Sequence, residues 1–383
     1  MPASHPALII LKTMRVVVCA LVISCCALAQ EANVERLFQS AVEAQQRGDL
    51  TTAVQKYQQI LQLQPNAFDA RVNLAVALVR LGRFDEAIDD YRLALKIQPA
   101  NTAARLNLAL AYYKKGDLPS ALHEFDSLHH ATPGDTRVAV LLGDCYSRLG
   151  HNDQAIDLLT PLEEAQPGDM DLVYVLASAL IGVGKLRKGA ALMEQVAQNG
   201  NSADAYLLAG KARLKLNEYV PARQDLESAA RLNTSLPGLY TALGIAKEQT
   251  SDERGAESDL RKALASNPED FDANLHLGGI LYGRRDLDHA RPYIERALQI
   301  DPSSLFAHYE LALCENAAGE LDSAVADLEK VVQGNPKWLQ AHVELAALYY
   351  KLHRPADGLR ERQIVDKLTA EQQEQGPPGP PKR

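Results

Sequence analysis

Hydrophobic residues recur every three or four positions in segment 71–99, which predicts two amphipathic helices. The apolar stripe of the first helix ends at Gly82, because glycine reaches a left-handed turn without a steric clash. The second stripe follows two acidic residues, which suit the positive end of a helix dipole, and ends at Pro99, which donates no backbone hydrogen bond. The segment therefore predicts a helical hairpin whose remaining apolar surface requires neighbours.

The same pattern occurs ten times at a regular interval, and one of the steps is shorter by a single position. It predicts hairpins that begin near residues 34, 68, 102, 136, 170, 203, 237, 271, 305 and 339. Each hairpin has a small residue at the same position of its first helix, where the two helices must cross closely. These residues are Ala41, Ala75, Ala109, Gly143, Ala177, Gly210, Gly244, Gly278, Ala312 and Ala346.

One hairpin shows a known set of positions most fully: Leu108, Ala109, Tyr112, Ala121, Phe125 and Pro133. In this spacing of small, aromatic and proline residues the chain resembles the tetratricopeptide-repeat (TPR) family. The resemblance covers residues 34–370 and implies an all-α fold, a right-handed α-solenoid superhelix whose concave face binds a protein or peptide segment. Five hairpins depart from the pattern where a large residue is expected, at Arg71, Arg105, Asn274, His308 and His342.

Segment 1–29 has a different pattern, typical of a secretory signal peptide. Lys12 and Arg15 precede a short apolar run, 16–23, and a small-residue cleavage site lies at 27–29. The run is too short for a membrane span, which needs about 20 residues. The sequence therefore predicts an exported protein, periplasmic or secreted. An alternative is an envelope lipoprotein anchored through Cys25.

Composition and motifs point away from catalysis and from nucleic acid. The formal net charge is −9, so the overall charge balance does not favour nucleic acid as a partner. The sequence contains no nucleophile elbow, phosphate-binding glycine loop or paired zinc-binding histidines on one helix. We predict no enzyme activity, no cofactor and no metal. Outside the signal segment the cysteines are Cys145 and Cys314, which the pattern places as small buried hydrophobes.

A second apolar stripe on the first helices of the early hairpins predicts a groove for a partner segment. An alternative is that these positions pack against the first helix of the next hairpin. Two asparagines at equivalent positions could hydrogen-bond the backbone of a ligand. The candidate residues are Val72, Asn73, Val76, Leu106, Asn107, Leu110 and Tyr113.

A row of cations ends the first helices beside this stripe, at Arg80, Lys114, Arg148 and Lys215. The row indicates recognition of acidic groups on a partner. The alternative is that each cation only stabilises the dipole of its own helix, by about 0.3–1 kcal/mol.

The fifth hairpin is unusual, because residues 172–181 are apolar on all sides. We expect Tyr174 and Ile181 to face a partner or a second copy of the chain, the alternative being a well-packed central repeat. At the other end, charged residues predict a final polar helix over 356–374, merging into a disordered Pro/Gly-rich tail over 371–383.

Together these features predict a non-catalytic scaffold that holds a partner segment in the concave face. The alternative function is a subunit or chaperone of cell-envelope polymer or protein export or assembly. The sequence leaves the oligomeric state open.

Overall fold

The computed structural model describes residues 30–374, in which every regular element is an α-helix. The predicted all-α fold of repeated helical hairpins is therefore confirmed. The described residues form two compact units, the first ending at Val183 and the second beginning at Gly184. The predicted signal segment 1–29, with Cys25, and residues 375–383 of the predicted tail lie outside the described residues.

The first unit contains four hairpins and one further helix. Its helices are α1 (30–46), α2 (Leu50–Leu63), α3 (Phe68–Arg80), α4 (Phe84–Ile97), α5 (Thr102–Lys115), α6 (Leu118–Ala131), α7 (Thr136–Arg148), α8 (Asn152–Ala165) and α9 (Met170–Gly182). Odd-numbered helices are the first helices of the hairpins.

The second unit contains one helix followed by five hairpins. Its helices are α10 (Leu186–Gly200), α11 (Ala203–Lys215), α12 (Tyr219–Leu232), α13 (Leu239–Gln249), α14 (Glu253–Ser266), α15 (Phe271–Gly283), α16 (Leu287–Ile300), α17 (Leu305–Ala318), α18 (Leu321–Gly334), α19 (Leu339–Lys351) and α20 (Pro355–Glu374).

Local signals start and stop these helices at repeating positions. Asp135 and Asp169 accept hydrogen bonds from the free backbone N–H groups of Val138 and Leu172, each at 3.2 Å, and so cap α7 and α9. Between the two helices of a hairpin, Gly82 has a φ of 74°, in the left-handed region. The same turn position is left-handed in hairpins without the glycine, at Asn217, Ser251, Arg285 and His353.

The small residues of the first helices lie at close crossings, as the sequence predicts. A Cβ atom added to Gly278 would lie 2.5 Å from Cγ1 of Ile294, and one added to Gly244 would lie 2.6 Å from Cγ of Leu260. Hairpins with glycine here have a leucine or isoleucine opposite, at Leu159, Leu226, Leu260 and Ile294. In the first three hairpins the small residue is alanine, and the corresponding second-helix position is a buried aromatic residue, Tyr57, Tyr91 or Phe125.

A polar link to the second helix replaces the expected large residue in four of the five hairpins that depart from the pattern, whereas Asn274 donates to the carbonyls of Pro268 and Asp270. Nη1 of Arg71 donates to Asp90 on the second helix, and Nη2 donates to the carbonyl of Pro65, both at 2.8 Å. Arg105 links Glu124 and the Pro99 carbonyl in the same way. The imidazoles of His308 and His342 likewise contact an acid and the carbonyl of the proline six positions earlier.

Within residues 30–374, none of the helices is long and apolar enough to cross a membrane. No group of three or more histidine, cysteine or acidic side chains in this part of the chain is arranged to hold a metal ion. Cys145 and Cys314 are free thiols, and their burial raises the pKa of each to about 12.

Candidate functional site

The candidate site lies on the face of the first unit that its first helices form, here called the first-helix face. Helix α3 contacts α5, and α7 contacts α9. Between α5 and α7, the hydroxyl of Tyr113 donates to Oδ2 of Asp144 at 2.5 Å. Successive first helices therefore line a continuous surface from α3 to α9.

A cavity of about 430 Å³ opens on this face between α5, α7 and α9, and we call it the Tyr113 cavity. Its lining combines apolar and aromatic side chains with four charged groups. It consists of Leu110, Tyr113, Arg137, Val140, Leu141, Asp144, Asp169, Asp171, Tyr174 and Val175. Such a mixture suits a small apolar group of a ligand whose polar parts stay at the rim.

A charged network orders one wall of the Tyr113 cavity. The guanidinium of Arg148 lies 5.2 Å from the centre of the Tyr113 ring, and its Nη1 atom lies 3.8 Å from Oδ2 of Asp144. Burial raises the pKa of Tyr113, and the hydrogen bond and the negative charge of Asp144 raise it further. The phenol is therefore a neutral donor held in one orientation.

The rim of the cavity is more acidic than the sequence suggested. Asp144, Asp169 and Asp171 line it, whereas Arg137 is the one cation among the lining residues. Arg148 lies against Tyr113 without lining the cavity. The geometry thus offers carboxylates as well as cations to a partner.

Three of the predicted groove residues, Leu110, Tyr113 and Tyr174, meet in the Tyr113 cavity. Five others lie outside it, on α3 and the first part of α5, and are half-buried: Val72, Asn73, Val76, Leu106 and Asn107. The apolar ones among them pack against the core of the first unit. The second stripe is therefore partly a packing surface and partly exposed on the first-helix face.

The predicted cations are all near the ends of first helices, where a positive charge also stabilises the helix dipole. Arg80 and Lys114 are exposed in the last turns of α3 and α5, and neither lines the cavity. Lys215 is exposed at the end of α11, in the second unit. Ile181 is half-buried near the end of α9, also outside the cavity.

Several lining residues escaped the sequence prediction although the repeat indicates them. Val140, Leu141 and Asp144 stand one full repeat after Leu106, Asn107 and Leu110, respectively. Extending the stripe by one repeat would have included them. Asp169 was missed for another reason. This residue caps the start of α9, and it lines the cavity as well.

Two family models, both described as tetratricopeptide repeat, match this chain. One matches residues 38–102 and 241–304, and the other matches residues 82–139 and 114–180. The chain belongs to the tetratricopeptide-repeat family. TPR proteins are in general non-catalytic scaffolds that bind proteins or peptides. A search of curated proteins finds no match.

Solved TPR structures share the fold at low sequence identity. A tetratricopeptide repeat protein from Parabacteroides merdae is 18% identical, with a TM-score of 0.51, over 65% of this chain and 98% of that one. A chain of the Cut9–Hcn1 hetero-tetramer of the APC/C is 13% identical, with a TM-score of 0.51, over 91% of this chain and 86% of that one. At these identities the similarity concerns the fold alone.

Proposed function

We propose that this TPR protein is a non-catalytic scaffold that holds a segment of a partner protein on the first-helix face of its first unit. The Tyr113 cavity is the observation that carries the proposal. An aliphatic or aromatic side chain of the partner would fill the space between Leu110, Leu141 and Tyr174. Polar groups of the segment would face the acidic rim and Arg137.

The arrangement of the site supports a bound segment rather than a bound small molecule. Leu110 of the cavity also belongs to the half-buried stripe of α3 and α5, where Asn73 and Asn107 stand beside apolar neighbours. A segment anchored in the cavity could follow this stripe and hydrogen-bond the asparagine amides. This is groove recognition with one anchored side chain.

Blocking the cavity tests the proposal. Short random peptides displayed on phage would be selected against the full chain, and the affinity of the enriched peptides would be measured by fluorescence anisotropy. We expect Leu141→Arg to weaken binding at least about tenfold, since it places a large charge in the anchor space. The control is Gln154→Arg, an exposed position on the second helix α8. Equal affinity for both variants would show that the peptides bind elsewhere.

We further propose that the scaffold acts outside the cytoplasm. The support is the arrangement of Lys12, Arg15, the apolar run 16–23 and the small residues at 27–29. Expression in a bacterial host, followed by fractionation and intact-mass measurement, tests this proposal. We expect an exported chain that begins at Gln30. A mass that includes a lipid on Cys25 would favour the lipoprotein alternative, and an uncleaved cytoplasmic chain would refute export.

A further inference from the structure

The second unit carries an exposed aromatic cluster where α17 meets the start of α19. The ring of Phe306 lies 4.7 Å from that of Trp338, and Tyr309 stacks on Trp338 at 5.1 Å with an interplanar angle of 25°. Phe306 is 65% exposed, which is unusual for a phenylalanine that already belongs to an aromatic cluster. Trp338 packs partly against the core of its unit, so the cluster is a fixed platform.

Helix α19 also carries exposed apolar side chains. Val343 is 45% exposed and Tyr350 is 42% exposed. Both belong to the first helix of the last hairpin, as Phe306 and Tyr309 belong to that of the preceding one. An exposed aromatic cluster such as that of Phe306, Tyr309 and Trp338 is typical of an interaction surface.

Two carboxylates near Tyr309 occupy equivalent positions of their hairpins. Glu310 and Glu344 are one full repeat apart and half-buried. Within residues 30–374, neither forms an ion pair with a lysine or arginine. Burial raises the pKa of both Tyr309 and Tyr282, and the negative charges of Glu344 and Glu310 raise each pKa further, so these groups share one region. We call the surface of Phe306, Tyr309, Trp338, Glu310 and Glu344 the Trp338 face.

The negative charge of this region is only partly compensated. Burial raises the pKa of Glu310, the charge of Glu248 raises it further, and the nearby His276 lowers it. His276, however, is already engaged, since its Nδ1 atom lies 2.7 Å from Oε2 of Glu248. Lys351 donates instead to the side-chain oxygen of Asn316, at 2.8 Å. A cation from a partner would therefore form an ion pair with Glu310 or Glu344, which have none with a lysine or arginine of the described residues.

We propose that the Trp338 face binds a protein segment that carries a lysine or arginine beside an aliphatic or aromatic residue. The cation would pair with Glu310 or Glu344 through charge-assisted hydrogen bonds, and the apolar neighbour would pack on Phe306 and Trp338. The aromatic platform also favours a cation through its ring faces. This surface shares no residue with the Tyr113 cavity, so the inference does not depend on the proposed function.

The charge of the face argues against other occupants. Uncompensated carboxylates repel the phosphates of nucleic acids and of anionic lipids. A second copy of this chain also carries a net charge of −9, which opposes self-association. A basic partner segment is therefore the occupant that the chemistry favours.

Trp338 provides a direct test, because it is the one tryptophan of the chain. Short random peptides without tryptophan, displayed on phage, would be selected against the full chain and counter-selected against the Glu310→Gln/Glu344→Gln variant. We expect enriched peptides to carry lysine or arginine next to an apolar residue and to change the emission of Trp338. Affinity should fall at least about tenfold in the double variant and weaken with added salt.

The matched control is Asp288→Asn/Asp322→Asn, which removes two carboxylates from exposed positions on the second helices α16 and α18. It should bind the peptides as the wild type does, and circular dichroism should show that all variants remain folded. Enriched peptides without a cation, an unchanged Trp338 emission, or equal affinity for both double variants would overturn the proposal. A dimer that Phe306→Ser dissociates would overturn it as well, by making the second copy the occupant.

Discussion

Glu315 is a buried acid whose charge is poorly compensated. It is 5% exposed, and its Oε2 atom has no hydrogen-bond partner within the described part of the chain. In two other hairpins the equivalent residue is a cation that pairs with an aspartate of the second helix, as Arg213 does with Asp225 at 2.5 Å and Lys247 with Asp259 at 2.6 Å. Glu315 instead faces Asp327, so burial and like charge raise its pKa to about 7.

The raised pKa of Glu315 makes stability depend on pH. The unfolded carboxyl titrates near 4.5, so between pH 4.5 and 7 the folded state binds more protons, and stability falls as the pH rises through this window. We expect Glu315→Gln to raise the free energy of unfolding by about 1–2 kcal/mol at pH 8 and to change it little near pH 4.5. Urea unfolding at several pH values, followed by Trp338 fluorescence, measures this.

Asp322→Asn, an exposed position on the next helix, is the control for that experiment and should leave the pH profile unchanged. A Glu315→Gln profile parallel to that of the wild type would show that Glu315 remains ionised in the folded protein.

Single helices meet through matched small and large residues. A first-helix glycine stands opposite a leucine or isoleucine, and a first-helix alanine in the first three hairpins corresponds to a buried aromatic ring. The pairing is not strict, because Ala312 corresponds to the buried Leu328.

Gly278→Ala should destabilise the second unit, because the new Cβ atom would lie 2.5 Å from Cγ1 of Ile294 and 3.3 Å from the Ala290 carbonyl. We expect the free energy of unfolding to fall by about 1–2 kcal/mol, because the cost of overpacking exceeds the gain in helix propensity. Gly283→Ala is the control on the same helix, since nothing lies within 4 Å of its added Cβ. It should be neutral or slightly stabilising. Equal unfolding midpoints for both variants would show that α16 yields to the extra methyl group.

The polar link at Arg71 should contribute more to stability than an ordinary surface ion pair. Arg71→Met would leave Asp90, whose side chain is 17% exposed, and the Pro65 carbonyl without their partner. We expect Arg71→Met to lower the free energy of unfolding by about 1–3 kcal/mol. The corresponding loss for Arg83→Met should be about 0–0.5 kcal/mol, because the ion pair of Arg83 with Glu86 is exposed. Thermal unfolding and amide hydrogen exchange of α3 and α4 compare the two. Equal losses would mean that the link is energetically an ordinary surface pair.

At the scale of the whole molecule, each unit is a stack in which a hairpin buries its apolar surface against its neighbours. The last hairpin has a neighbour on one side among the described residues, and α20 packs along α19 there. This final helix is polar on most of its surface, although Gly358 and Leu368 are buried. It acts as the cap that an open stack requires.

Removal of residues 355–383 should therefore expose Leu345 and Leu348 of α19, which are buried in the intact chain. We expect a lower melting temperature and self-association, measured by circular dichroism and light scattering. Removal of residues 375–383 alone deletes none of the described contacts and should leave both unchanged. A stable monomer after the longer deletion would show that α19 closes the stack by itself.

Periodicity along the chain was sufficient to predict the hairpins, because local signals repeat with them. Apolar stripes, the left-handed turn at Gly82 and the prolines that end the second helices act within one hairpin, so neighbouring residues determine them. The same periodicity could have assigned Val140, Leu141 and Asp144 to the candidate site. Membership in the family and the all-α fold followed from these local patterns.

The tertiary structure determined which side chains of different helices contact one another. The Tyr113 cavity joins residues of three helices, and the phenol of Tyr113 depends on Asp144, which lies 31 positions later. The gathering of Phe306 and Trp338 on one platform, and the burial of Glu315 opposite Asp327, likewise depend on contacts between helices. Such contacts depend on the packing angle and depth of whole helices, which no local pattern encodes.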